Sequence, residues 1–255
     1  MPARWEVRLA GPTDVAVPVE SPHAVVSRWL DADHQASVKP YALCPPRVAA
    51  GVTILEIRLL DDALETTLRD AAPVGAAVRL GRHVFRVVTA PTPVEHKRWP
   101  EFTGWLGARA WPVRFVSPVT FRRGDRSSPW PAPQSVVRSL VDRWRALQPD
   151  TAPSVPRGGL NSLWVSDVEG HSEALLFDVR IVSGFIGSIR YVCDGPDSDA
   201  TAVDELLRFA TYAGIGSHTA FGFGLVRVEP RDRRDRRHCG TPTGPAIPTA
   251  PRAYR

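Results

Sequence analysis

A lysine follows a histidine by five positions in the polar segment DADHQASVKP, which spans residues 31–40. A histidine such as His34 can give or take a proton near neutral pH, and the ammonium of Lys39 can stabilise developing negative charge. Pro40 favours an extended backbone at Lys39 and could hold its side chain towards the same pocket. Lysine is otherwise rare, since arginine supplies 30 of the 32 basic residues. His34 and Lys39 are therefore the candidate catalytic pair, and an exposed loop without a role is the alternative.

A second segment, GIGSHTAFGFGLVRV at residues 214–228, contains four glycines in eleven positions. Glycine tolerates positive φ and lets a backbone come very close to another group. A turn from helix to strand needs fewer of them, so we expect this loop to approach a ligand and to present N–H groups to phosphates. The candidate binding residues of the loop are Gly214, Gly216, Ser217, His218, Thr219, Gly222 and Gly224.

A nucleotide cofactor is a poor match for this glycine-rich segment. The dinucleotide fingerprint runs from strand through glycine loop to helix, whereas the order expected here is helix, loop, strand. Thr219 stands where the third glycine of the fingerprint would fall, and the chain has no GK[ST] motif. We therefore expect no cofactor.

Basic residues outside the two loops indicate an anionic partner. The net charge of the 255-residue chain is +5, and Arg122, Arg123 and Arg126 cluster in the turn-rich RRGDRSSPWPAP. These three arginines are the best candidates for contacts to nucleic acid phosphates outside the termini, with a solvated loop as the alternative. Residues 231–255 begin with an arginine run and then become rich in proline and threonine, which predicts a disordered basic tail.

His23 competes with His34 for a catalytic role. It falls in the first turn of the same predicted helix, eleven residues earlier, so the two histidines would be about 15 Å apart if most of the segment is helical. Both cannot then act at one phosphate. His83 alternates within a predicted strand and is expected on its outward face.

The apolar periodicity predicts two successive β-α-β-β-α-β units. In the first half, Ser21 is the expected N-cap of a helix that starts near Pro22. The other predicted elements are strands Arg4–Leu9, Tyr41–Cys44 and Thr53–Leu60, helix Asp62–Asp70 and a hairpin across Val78–Val88. The second half predicts strand Val113–Phe121, helix Gln134–Leu147, three strands within 161–193, helix Ala200–Tyr212 and strand Phe221–Val228.

This order predicts an α+β fold of two tandem ferredoxin-like, or RRM-like, βαββαβ domains with a C-terminal glycine-rich loop. The expected boundaries are residues 1–110 for the domain with the candidate catalytic loop, 111–230 for the domain with the glycine-rich loop, and 231–255 for the tail. Trp29 and Trp144 fall on helices and are expected in the cores.

Cysteine usage and hydropathy favour an intracellular protein. Cys44, Cys193 and Cys239 show no spacing typical of a zinc site and are expected to be reduced. No apolar run reaches the length of a transmembrane helix, and Arg4, Glu6 and Arg8 interrupt a potential signal peptide core. We expect a cytoplasmic location and no membrane partner.

The glycine pattern and four other segments together resemble a known family. Gly214-Ile-Gly216, five residues and Gly222-Phe-Gly224, followed by LVRV, are similar to the C-terminal glycine-rich loop of the CRISPR-associated repeat-processing endoribonucleases, within the superfamily of repeat-associated RNA-binding proteins. The segments KPYALCPP, SPVTFRRG, PWPAPQSVVRSLVDRW and VSGFIGSIRYV also resemble the family. The likeness covers roughly residues 3–229.

The resemblance implies cleavage of CRISPR repeat RNA in precursor guide transcripts without a metal, giving a 2′,3′-cyclic phosphate and a 5′-hydroxyl. It also places the catalytic histidine near His34. The family often has a basic residue between the two glycine pairs, whereas this chain has Ser217, His218 and Thr219. Some relatives use a tyrosine near the first helix, but no tyrosine precedes Tyr41 here. His34 and Lys39 are thus the working catalytic pair. Which group acts as the acid and which as the base is left unassigned.

Two other functions are consistent with the same pattern. A non-catalytic RNA-binding subunit of a CRISPR ribonucleoprotein, in contact with other effector subunits, would use the same sheets and loop. An unrelated ferredoxin-like regulatory or metabolic protein would show no salt-dependent affinity for RNA.

Overall fold

The structure is a computed structural model that describes residues 1–33, 36–104, 106–156, 159–177 and 180–228. His34 and the tail at 231–255 lie outside the described residues. The first half contains β1 (Ala3–Ala10), α1 (Glu20–Trp29), β2 (Tyr41–Leu43), β3 (Arg47–Ala49), β4 (Val52–Leu59), α2 (Leu64–Ala71), β5 (Ala77–Leu80), β6 (His83–Val87) and β7 (Thr92–His96). The second contains β8 (Ala110–Val119), β9 (Phe121–Arg123), β10 (Arg126–Ser128), α3 (Pro133–Leu147), β11 (Leu163–Phe177), β12 (Arg180–Cys193), α4 (Asp197–Ala213) and β13 (Val226–Val228).

The first sheet has the strand order β2-β4-β1-β6-β5, with β3 paired to β4 and β7 paired to β1, and its pairs are antiparallel. Alternate residues of β1, beginning at Ala3 and including Trp5, are fully buried, as a half-buried strand requires. Their side chains share one core with apolar residues of α1 and α2.

The second sheet has the order β11-β12-β8-β13, also antiparallel. In both sheets the first strand of that half lies inside: β1 between β4 and β6, and β8 between β12 and β13. A cluster of aromatic rings fills the core between α3 and α4, where Trp144 lies 4.9 Å from Phe209 between ring centroids. The predicted core positions of Trp29 and Trp144 are confirmed, and Cys44 and Cys193 are buried free cysteines.

The three strands predicted within 161–193 are wrong in number, because the structure has two longer strands there and the residues of the middle predicted strand belong to both. Residues 163–177 and 180–193 form one long hairpin, β11 and β12. Gly170, predicted to end the first of these strands, instead lies within β11 opposite Gly187, and the two glycines have φ of 157° and 146°. A Cβ on either residue would collide with backbone of the facing strand, so glycine lets the hairpin continue through this point.

Other local predictions were wrong for reasons visible in the contacts. Ser21 does not cap α1, which begins at Glu20, because its hydroxyl accepts a hydrogen bond from the Gly81 N–H, 3.0 Å away. The last strand is only β13, since Gly222 and Gly224 adopt φ of 92° and 65° and interrupt the extended backbone. The segment after Phe121, expected to be a turn, forms the β9-β10 hairpin.

No helix in the described part of the chain is long and apolar enough to span a membrane.

Trp144 tests whether α3 depends on this aromatic core. We expect Trp144→Ala to lower the free energy of unfolding by about 3–5 kcal/mol, because it leaves a large cavity. Trp130, 46% exposed, is the matched control, and Trp130→Ala should change stability by no more than about 0.5 kcal/mol. Urea unfolding followed by circular dichroism measures both. Equal effects of the two substitutions would contradict the assignment of the core.

Candidate functional site

The glycine-rich loop joins the end of α4 to β13 and is fastened to the end of β8. The N–H of Ile215 donates to the Gly224 carbonyl over 2.9 Å, so the two ends of the loop contact each other. Gly224 N–H donates to Pro118, and Ser217 N–H donates to Thr120, both over 2.8 Å. These bonds fix the loop beside β8.

Close approach explains the glycines. A Cβ on Gly224 would fall on the carbonyl oxygen of Ile215, and a Cβ on Gly216 would meet the carbonyl oxygen of Thr120. Gly214, Gly216, Gly222 and Gly224 all have positive φ. The backbone therefore does pass very close to another group, but that group is the chain's own backbone.

We expected the N–H groups of the loop to face phosphates, but most of those with a partner inside the protein cannot do so. Those of Gly214, Ile215, Gly216, Ser217, Gly222 and Gly224 all donate to oxygens of the protein. Contacts from this part of the loop to a ligand must therefore come mainly from side chains, and Ser217 and His218 are partly exposed.

His218 adopts a left-handed conformation, with φ of 62°, that turns the chain into a short 3-10 segment. Its ring lies 4.7 Å from Phe177 at the end of β11 and 5.8 Å from Phe223, between centroids. Burial, and then the charge of Arg122, lower the pKa of His218 below its ordinary value. The neutral imidazole is thus favoured.

Ser217 and His218 border a polar cleft of about 880 Å³. Arginines surround this basic cleft: Arg122 and Arg123 come from β9, and Arg138 and Arg143 from α3. Asp142 is the acidic residue in the lining, and it pairs with Arg138 over 3.6 Å. The excess of positive charge suits the cleft to a polyanion.

The candidate catalytic segment reaches the same cleft through Ser37, which is exposed and lines it. Lys39 Nζ donates to the carbonyl of Asp33 over 2.5 Å, and Ala36 N–H approaches the same oxygen at 3.3 Å. Lys39 therefore folds back towards the residue that directly precedes His34.

The structure separates other predicted binding residues from the basic cleft. Arg126 lies on β10 opposite Arg123 and is not part of the lining, and Thr219 is buried. Gly222 instead borders an apolar cavity of about 270 Å³ together with Phe221 and Phe223. The sequence did not reveal Arg138 and Arg143 as residues of the cleft. Arginines on a helix usually mark a solvated face, and only the tertiary structure shows that these two line a cleft.

His23, the competing histidine, is buried at the joint between the two halves. Its Nδ1 lies 3.2 Å from the Ala220 carbonyl oxygen and 3.1 Å from the Tyr41 hydroxyl, and its ring stacks on Phe221 at 3.7 Å. Burial raises the pKa of Tyr41 to about 12. These contacts connect α1 with the glycine-rich loop.

Comparison with known proteins finds similarity to one family. The family profile of the CRISPR-associated endoribonuclease Cas6 matches residues 113–226. The Cas6 endoribonucleases of two Mycobacterium tuberculosis strains are 25% identical over 231 residues, covering 84% of this chain and 72% of theirs. A solved Cas6 product complex is 27% identical with a TM-score of 0.77, covering 89% of this chain and 99% of its own. The chain is thus similar to Cas6 endoribonucleases in sequence and in fold.

Another Cas6 product complex, of a protein also solved as Thermus thermophilus Cas6, shares the fold at 23% identity, with a TM-score of 0.75 over 90% of this chain and 99% of its own. The resemblance inferred from the glycine segment is thus confirmed, as is a mixed α+β fold with antiparallel sheets. These similarities support a CRISPR repeat-processing endoribonuclease, a class of enzyme that acts in RNA processing and antiviral defence.

Two glycines of the loop allow a matched test of the close approach. Gly222→Ala should cost about 1–2 kcal/mol of stability for its positive φ alone, because the nearest atom to the added Cβ is 3.6 Å away. Gly224→Ala should cost clearly more, since its Cβ would collide with the Ile215 carbonyl. Thermal and urea unfolding without RNA measure the difference. Equal losses would show that the contact between the loop ends does not matter.

The lowered pKa of His218 gives a stability effect with a definite sign. The unfolded chain takes up a proton as the pH falls through about 6.5, before the folded protein does. The stability contributed by neutral His218 is therefore present above pH 6.5 and is lost as the pH falls towards the folded pKa. We expect an NMR titration midpoint below 6.5, raised in part by Arg122→Gln, because burial remains.

Arg126→Gln is the control for this titration, since Arg126 is not among the causes of the shift. It should leave the midpoint unchanged. A wild-type midpoint at or above 6.5 would contradict the burial of the ring.

Proposed function

We propose that the protein is a Cas6 endoribonuclease, which binds CRISPR repeat RNA across the basic cleft and cuts it in precursor transcripts to give guide RNAs. The observation that carries the proposal is the convergence of two loops on one arginine-lined cleft. Ser217 and His218 come from the glycine-rich loop, and Ser37 comes from the segment with the candidate catalytic pair.

The fold supports this proposal through its repeated strand order. We infer two ferredoxin-like domains, residues 1–110 and 111–230, because each half places its first strand inside an antiparallel sheet with two helices from the same half in its core. Such sheets and their loops are a common framework for binding RNA.

RNA binding in the cleft would rest on phosphate contacts. Arg122 and Arg123 are exposed at its edge, and guanidinium groups suit phosphate oxygens in charge and geometry. Ser217 and His218 would add uncharged hydrogen bonds, while Gly214, Gly216, Gly222 and Gly224 shape the loop that carries them. One similar Cas6 was solved as a product complex and also with a substrate mimic.

The chemistry we propose uses the RNA's own 2′-hydroxyl. A base removes its proton, the oxygen attacks the adjacent phosphorus, and the 5′-oxygen leaves as it is protonated, giving a 2′,3′-cyclic phosphate and a 5′-hydroxyl. His34 would transfer one of these protons, and Lys39 would stabilise the charge on the phosphorane. Lys39 supports this role because its ammonium lies at the carbonyl of Asp33, the residue before His34. The similar Cas6 was also solved as a histidine-to-alanine mutant.

The test uses repeat RNA from the protein's own genomic neighbourhood, with EDTA present. We expect cleavage to continue with EDTA and to stop when the scissile nucleotide carries a 2′-deoxy sugar. His34→Ala should lower the single-turnover rate by about 10²–10⁴-fold, the usual range for loss of a general acid or base. Lys39→Ala should also reduce the rate, because the phosphorane loses a stabilising cation.

His171, exposed on β11, provides the control, and His171→Ala should cleave like the wild type. Unchanged cleavage by His34→Ala would exclude this mechanism. Tight repeat binding without cleavage under any condition would instead favour a non-catalytic RNA-binding subunit.

A further inference from the structure

One face of α3 holds both polar backbone groups of Gly216. The Ser139 hydroxyl accepts a hydrogen bond from the Gly216 N–H at 3.2 Å, and Arg143, one helical turn later, donates to the Gly216 carbonyl at 3.0 Å. Ser139 donates its own hydroxyl proton to the Val136 carbonyl. A serine and an arginine four residues apart thus contact the same glycine from one helix face.

Arg143 makes two further bonds at the end of α4. It donates to the carbonyls of Ala213 at 2.8 Å and Gly214 at 3.0 Å, which lie at the C-terminal end of the helix, where carbonyls lack partners and the dipole is negative. The guanidinium fork therefore joins three carbonyls from the last turn of α4 into the loop. Lysine has no fork with which to reproduce this geometry.

Arg143 forms no ion pair with any residue that the structure describes. The carboxylate of its neighbour Asp142 pairs with Arg138 instead. Burial lowers the pKa of Arg143 to about 10, so the group stays charged at neutral pH. Arg143 also lines the basic cleft, together with Ser217 and His218.

We propose that Ser139 and Arg143 form a clamp on Gly216 that holds the glycine-rich loop in the conformation that binds RNA. The inference rests on the proposed function for its RNA part. Both are positioning residues: they set where Ser217 and His218 stand in the cleft. The clamp also explains how a loop without lysine or arginine keeps a fixed shape beside a polyanion.

The experiment compares Ser139→Ala, Arg143→Lys and Arg143→Met with Arg145→Met in the full chain. Arg145 is exposed on the same helix, and its substitution by methionine removes the same charge at a position outside the clamp. Two quantities are measured: hydrogen exchange of the Gly216 amide without RNA, and the Kd for repeat RNA together with the single-turnover rate at saturating protein.

We expect faster Gly216 exchange in Ser139→Ala and in both Arg143 variants, but not in Arg145→Met. Arg143→Lys keeps the charge, yet its Kd should rise roughly tenfold or more, as expected for lost hydrogen bonds to a charged group. Its single-turnover rate at saturating protein should stay within about threefold of the wild-type rate, because the loop binds RNA and takes no part in the chemical step. Ser139→Ala should shift Kd in the same direction by less.

Wild-type affinity in Arg143→Lys would overturn the clamp, because charge alone would then suffice. Unchanged Gly216 exchange in Ser139→Ala would overturn it as well, even if Arg143→Met fails to fold. Equal weakening of RNA binding by Arg145→Met would show a general charge effect and would contradict the proposal. If the wild type binds no repeat RNA, the proposed function fails separately, and the exchange data still decide whether the clamp exists.

Discussion

The contact between Ile215 and Gly224 is the constraint on which the rest of the site depends. The Ile215 N–H donates to the Gly224 carbonyl, while the Ile215 carbonyl occupies the space where a Cβ of residue 224 would lie. This mutual approach closes the loop at its base. Between the two ends, Ser217 and the left-handed His218 border the basic cleft, while Thr219 and Ala220 are buried.

Such closure determines where the positive charge of the site can come from. Backbone N–H groups that could have bound phosphate already donate to the carbonyls of Pro118 and Thr120 and to carbonyls of the loop itself. The lowered pKa of His218 favours its neutral form, so it adds little charge. The positive charge beside the loop is therefore supplied by arginine side chains of the neighbouring elements β9 and α3.

The sequence predicts those features that depend on local periodicity and fails where a tertiary contact decides. Apolar spacing identified α3 and the burial of Trp144, because a helix must bury its apolar face somewhere. It could not show that Gly170 and Gly187 face each other, since strand register is a property of two segments. Likewise the sequence predicts Ser21 as an N-cap, and it cannot show that the Ser21 hydroxyl accepts a hydrogen bond from the distant Gly81 N–H. The arginine at 143 differs from the solvated Arg145 only in its distant partners.

The joint at His23 links the two candidate loops. Although the glycine-rich loop follows α4, Ala220 packs in the core of the first half, where His23 contacts it from the first turn of α1. From there the helix runs about 10 Å to Leu30, at a rise of 1.5 Å per residue, and leads directly into the segment with Lys39. One helix thus connects the glycine-rich loop with the segment that contains the proposed catalytic pair. The buried contacts of His23 can therefore influence the distance between these two segments, because they fix one end of α1 against the loop.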